Sequence, residues 1–167
     1  MQETTSGINP DPQSVRIIPP MPKILTSAQI AQFREQGYVH PVRVMSEARA
    51  DEFCARLEKF EADSGGPLKG AYRHKTHLLF AWLADLVHHE TILDAVEDLH
   101  GPDLFCWSSS FFIKEPRNPA FVSWHQDSTY WGLNKTDVVT AWIALSPSTK
   151  ANGAMAVIPG THRLAQI

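Results

Sequence analysis

Cysteine is scarce in this 167-residue chain: Cys54 and Cys106 are the only two, and they stand far apart with no Cys-x-x-Cys clip. That spacing excludes a disulfide framework and a zinc knuckle, and it fits a reducing compartment. There is no dense run of lysine and arginine, and the formal net charge is -3. The chain therefore lacks the electrostatic footprint expected for binding nucleic acid or an anionic membrane surface. Long hydrophobic runs are missing too; the longest, Leu78 to Val87, contains Asp85 and is far too short to span a bilayer. Residues Met1 to Pro22 hold five prolines and no apolar core of signal-peptide length, so they read as a flexible arm, and a cytoplasmic location is expected. No repeat of solenoid length is present, and only the arm is biased in composition. What remains, 43% hydrophobic and 20% charged, is the make-up of one globular domain with its own core, here residues 23–167.

The apolar pattern places helices first and strands second. Thr26-Ser27-Ala28-Gln29 has the form of a capping box; Ile30 and Phe33 share a face, and Gly37 is a stop signal. Tyr38 to Val42 reads as a brief strand. From Ser46, apolar residues at Ala50, Phe53, Leu57 and Phe60 mark an amphipathic helix that ends before Gly65-Gly66-Pro67 and is expected to pack one stripe against a sheet. Leu78 to Leu99 predicts two more helices. Leu79, Leu83, Leu86 and Val87 share a face in the first, and Ile92, Ala95, Val96 and Leu99 do so in the second, with Gly101-Pro102 as the stop. Beyond it the pattern turns aromatic, β-branched and alternating, predicting four strands at Leu104–Lys114, Ala120–His125, Val138–Ser146 and Ala154–Ile158, the last after an Asn152-Gly153 turn.

Within that second half, Trp124-His125-Gln126-Asp127 is the stretch best suited to chemistry. Residues i and i+2 of a strand leave the same face about 6.6 Å apart along the backbone, so an imidazole and a carboxylate there can reach one metal ion. Eight histidines and nine aspartates in this length give about 0.4 His-x-Asp pairs by chance, so context has to decide. His88-His89-Glu90 sits in a helical pattern, where positions two apart point about 200° around the axis, and reads as a solvated face. His125 and Asp127 follow a strand-like aromatic segment and make two of the three ligands of a 2-His-1-carboxylate site, an arrangement suited to non-haem Fe(II).

The ordered series Phe111-Phe112-Ile113-Lys114-Glu115-Pro116, Trp124-His125-Gln126-Asp127, Ala141-Trp142-Ile143-Ala144, Asn152-Gly153 and Ile158-Pro159-Gly160-Thr161-His162 resembles the phytanoyl-CoA dioxygenase family over roughly Leu25 to Ile167. The resemblance implies a mainly β fold with N-terminal helices: a double-stranded β-helix (jelly roll, cupin-like), with a helical part over 23–102 and a partial β-helix over 103–167. It implies an Fe(II)- and 2-oxoglutarate-dependent dioxygenase acting on a small molecule with O2. His125 and Asp127 would then be iron ligands. Gln126, Trp142 and Lys75 would touch the 2-oxoglutarate co-substrate. An aspartate at 127, where related halogenating enzymes carry a small residue, favours hydroxylation of an unactivated carbon.

Plainer roles stand beside these. Trp142 serves equally as a core residue, Lys75 as a solvated cation, and Gln126 faces away from the ligands if its strand is regular. Eight jelly-roll strands need about 64 to 96 residues, and four are predicted here. The family's second iron histidine and its 2-oxoglutarate arginine lie on later strands, and His162 belongs to the turn that precedes them. The chain is therefore expected to be the front portion of a longer enzyme, with unpaired edges that favour association when expressed alone. A catalytically inactive half-barrel binding module and a cupin-like metal-binding protein are the alternatives. Which small molecule is the substrate, and the oligomeric state, are left open.

Overall fold

In a computed structural model the chain is described over residues 21–133 and 137–164, so the proline-rich arm lies outside the described residues except for Met21 and Pro22. Among the described residues four α-helices are formed: α1 (Ser27–Gln36), α2 (Glu47–Asp63), α3 (Ala81–Val87) and α4 (Glu90–His100), with short 3-10 turns between and after them. None is long and apolar enough to cross a membrane.

The helix ends follow the local sequence. Thr26 Oγ1 accepts the Gln29 N–H at 3.2 Å while Gln29 Oε1 accepts the Thr26 N–H at 2.8 Å, the reciprocal box read from the sequence. Ser46 caps α2 by accepting the Arg49 N–H at 3.2 Å. At the other end of α1, Gly37 adopts the left-handed conformation, φ +86°, and its N–H closes on Phe33 O at 2.8 Å.

That helix end also anchors the far end of the described chain. The Gly160 N–H donates to Gln36 O at 2.8 Å, and Arg163 reaches Arg34 O at 2.6 Å, with His162 Nε2 3.3 Å from the same oxygen. Basic groups at exposed helix carbonyls are favoured by the helix dipole. A Cβ on Gly37 would collide with the His162 ring at Nδ1, so the close approach needs glycine as much as the positive φ does. Gly37→Ala is expected to cost more than the about 1–2 kcal/mol of left-handed strain alone. Gly65→Ala, at φ +77° with nothing within 4 Å of its Cβ, should show only that strain. Equal losses for the two in urea unfolding would mean that the His162 contact contributes nothing.

α2 and α4 enclose the core. Phe53, 2% exposed, packs with Leu83, Leu86 and Ile92, and Trp82, Phe111, Ile143 and Leu145 lie against this cluster, partly buried. The 3.6-residue periodicity thus found Phe53, Leu83, Leu86 and Ile92. It misplaced Leu79, which leaves the 3-10 turn Thr76–Leu78 and is half exposed, because α3 begins only at Ala81.

At the start of the described chain, Asp98 of α4 holds the segment that leads into α1. Its carboxylate accepts the backbone N–H groups of Lys23 at 2.7 Å, Ile24 at 2.9 Å and Leu25 at 2.8 Å. Lys23 Nζ adds ion pairs to Asp94 at 2.9 Å and Glu97 at 2.7 Å, which hold its ammonium well above the usual lysine range. Slight burial pushes the Asp98 carboxyl up, but the three N–H donors and Lys23 outweigh it and hold the group below its ordinary value. A depressed folded-state pKa means that the stabilisation is complete above the unfolded value of about 3.9 and disappears as pH falls through the folded one. The stabilities of the natural protein and Asp98→Asn should therefore differ at pH 7 and converge below about pH 4; a gap that widens in acid would contradict this account.

The expected β architecture is not observed. Among the described residues there is no strand and no sheet, and the fold is mainly helical rather than a jelly roll. Leu104–Lys114, Ala120–His125, Val138–Ser146 and Ala154–Ile158 run without ladder pairing, as does Tyr38–Val42. An isolated bridge joins His74 to Ser110, flanked by Phe111 N–H to Arg73 O at 3.1 Å and Thr76 N–H to Ser109 O at 3.3 Å. β-propensity records how a residue fits a pleated surface beside a neighbour, and becomes a strand only when another strand lies about 4.8 Å away. These segments lack that neighbour, so Phe105 and Phe121, both 84% exposed, stand out from the surface. For the same reason α2 packs its stripe on α3, α4 and irregular chain, not on a sheet.

Candidate metal centre

His125 is held by its own backbone. Nδ1 lies 2.8 Å from Ser123 O, and because a carbonyl can only accept, Nδ1 carries the proton. The lone pair of a neutral ring is then on Nε2, which points at Asp127 Oδ1 3.0 Å away. The Tyr130 ring stands edge-on to the imidazole at 5.9 Å between centroids.

The convergence arises at a change of backbone. Gln126 is extended (φ -113°, ψ 125°), and Asp127 opens the 3-10 turn Asp127–Tyr130. Side chains two apart thus meet as they would on a strand, without a strand being present. The free oxygen of the carboxylate, Oδ2, accepts the Thr140 hydroxyl at 2.7 Å.

Two lone pairs facing each other at 3.0 Å repel unless something positive lies between them or beside both. A proton on Nε2 is one solution, giving an ion pair. A shared cation is the other: ligands at bond lengths of about 2.1 Å in adjacent corners of an octahedron stand about 3.0 Å apart. The imidazole nitrogen and carboxylate oxygen also suit iron in type. The residues present therefore fit two corners of a metal site. Among the described residues no group of three or more His, Cys, Asp or Glu side chains is placed to hold a metal. His162 is engaged at the end of α1, and His88 and His89 sit at the α3–α4 junction, with His88 Nδ1 2.7 Å from Ala84 O.

The other residues singled out from the sequence are dispersed. Gln126 turns to the opposite side and donates through Nε2 to Thr161 O at 3.0 Å and Leu164 O at 3.4 Å. Trp142 is 43% exposed, its ring tilted against Phe112 at 5.8 Å. Lys75 takes a left-handed conformation, φ 50°, and holds its ammonium 5.6 Å from the Trp107 ring centroid. None of the three makes a hydrogen bond or ring contact with the His125–Asp127 pair among the described residues. Sequence reasoning missed Thr140 and the Ser123 carbonyl. Thr140 was within reach, because it alternates with Trp142 along a segment whose other register, Ile143 and Leu145, meets the core.

The family model described as phytanoyl-CoA dioxygenase matches residues 33–167. A probable alpha-ketoglutarate-dependent hypophosphite dioxygenase of Stutzerimonas stutzeri is 33% identical over 106 residues, 63% of this chain and 37% of that protein. An ectoine dioxygenase of Nocardia farcinica is 27% identical over 175 aligned positions, 95% of this chain and 58% of that one. A 1-deoxypentalenic acid 11-beta-hydroxylase of Streptomyces arenae is 35% identical over 85 residues, 47% of this chain and 30% of its own length. The chain thus spans between 30% and 58% of the length of these curated relatives. No solved structure matches it.

Proposed function

Because the chain belongs to the phytanoyl-CoA dioxygenase family, we propose that residues 23–167 form one oxygenase unit of a non-haem Fe(II)- and 2-oxoglutarate-dependent hydroxylase, in which His125 and Asp127 are two of the iron ligands. The carrying observation is the 3.0 Å approach of Nε2 and Oδ1, with Nδ1 already committed to Ser123 O. Iron held there would, with 2-oxoglutarate and O2, supply the oxidising power for hydroxylation, with succinate and CO2 as the co-products.

The chain's own part is binding and aim. The Ser123 carbonyl fixes the imidazole tautomer so that its donor nitrogen faces the shared point. Asp127 brings the negative charge that a divalent cation requires, and it would fill the position that a small residue there would leave to halide, which supports hydroxylation of an unactivated carbon over halogenation. Among the described residues no third His, Cys, Asp or Glu side chain stands with the pair. Trp142 and Lys75 serve the co-substrate only if they approach the pair on loading, and Gln126 only if it releases Thr161 and Leu164.

The relatives' names specify hypophosphite, ectoine and 1-deoxypentalenic acid, three different molecules, which share only the class of small-molecule substrate. The test is Fe(II)-dependent consumption of 2-oxoglutarate by the natural full-length protein across a panel of small-molecule substrates. Stimulation by one of them, abolished by chelation, is expected. Absence of Fe(II) binding would leave His125 and Asp127 as an ion pair on a binding module.

A further inference from the structure

Resting on the reading of His125 and Asp127 as metal ligands, we infer that Thr140 is a positioning residue that selects the metal-facing oxygen of Asp127 and limits the carboxylate to one-oxygen binding. The Thr140 hydroxyl donates to Oδ2 at 2.7 Å, while Oδ1 alone stands beside His125 Nε2 at 3.0 Å. A hydroxyl-to-carboxylate hydrogen bond of this kind is charge-assisted and among the stronger ones a side chain makes. It holds Oδ2 on the side of Thr140 and fixes rotation of the carboxylate about its last bond.

The number of donors at the metal makes this matter. A facial triad leaves three of six positions open only when each protein group supplies one donor. A carboxylate gripping with both oxygens fills a fourth position and leaves two, too few for a chelating co-substrate together with O2. Thr140 is well placed to enforce the single-donor mode because its segment is fixed independently: Ile143 and Leu145 of the same stretch pack on the helical core. The helical core thereby reaches the site through Thr140, on a segment separate from the one carrying the ligands. His125 is restrained in parallel by Ser123 O, so each ligand has one partner behind it.

Co(II) is the probe, added to the full chain and followed by its visible absorption, so that no turnover is needed. The natural protein should bind it, and Asp127→Ala should lose more than about 100-fold in affinity. Thr140→Val, which keeps the shape and removes the donor, should weaken Co(II) about tenfold or more and alter the spectrum. Thr140→Ser, which keeps the hydroxyl, should restore both, and urea midpoints should show all variants folded. Thr140→Val binding Co(II) as tightly as the natural protein, with an unchanged spectrum and Asp127→Ala still defective, would overturn the inference while leaving the ligand assignment intact. Thr140→Ser failing as badly as Thr140→Val would overturn it as well. Indifference of Co(II) binding to Asp127→Ala would instead remove the reading on which it rests.

Discussion

Asp127→Ala is expected to lower the affinity for Fe(II) by more than about 100-fold and to abolish substrate-stimulated consumption of 2-oxoglutarate. The scale follows from what outer partners alone contribute: groups that merely orient a ligand are worth about 10- to 100-fold in metal affinity, and in the proposed site Asp127 is itself a donor and the negative charge of the pair. Its removal leaves His125 Nε2 without the oxygen 3.0 Å away and frees the Thr140 hydroxyl. Asp127→Asn is the informative companion. It keeps the volume and an oxygen able to accept from Thr140, but lacks the charge, so it should fall between the natural protein and Asp127→Ala. The measurement is an anaerobic Fe(II) titration alongside a 2-oxoglutarate assay. Full Fe(II) affinity in Asp127→Ala would show that residues 125 and 127 form an ion pair and that any metal binds elsewhere.

Phe53→Ala should be the most damaging core substitution, at about 3–5 kcal/mol. Phe53 is 2% exposed, meets the Trp82 ring at 5.7 Å and carries the Arg49 guanidinium 4.8 Å above its face. Truncation opens a cavity between α2, α3 and α4 that rigid helices cannot collapse to fill. Domains of this size are stable by about 5–15 kcal/mol, so the loss is a large share of the total. The urea midpoint should fall by roughly 1–3 M. Phe105→Ala is the matched comparison: the same atoms leave a residue that is 84% exposed, and the change should stay within about 0.5 kcal/mol. Comparable losses at both positions would show that Phe105 is buried in solution, and that the apolar surface of the second half is covered there.

The two halves of the chain differed in how far they could be read. α1 and its cap, α2 and the α3–α4 pair were legible because a helix closes its hydrogen bonds within itself, so Thr26, Ser46 and Gly37 mark its ends wherever it lies. The alternating segments after Gly101 were legible only as strand-formers. A ladder is a property of two segments, and here the alternation of Val138–Ser146 became two packing directions, Ile143 and Leu145 toward the helical core and Thr140 toward Asp127. The approach of His125 to Asp127 was legible because the two are close in sequence. The contact of Gln126 with residues 161 and 164 and that of Lys75 with Trp107 are long-range, and no spacing announces them.

By itself the sequence determined the helices, their caps, the family and the two adjacent donors, because each is written in neighbouring residues or in an ordered set of motifs. Only the tertiary structure decided that the β-prone segments run unpaired, that His162 closes on α1 while Gln126 turns aside, and that a hydroxyl thirteen residues away holds the second oxygen of Asp127. Those outcomes depend on which segments meet in space, and the free energy of a hydrogen bond or a packed ring exists only once both partners are in place.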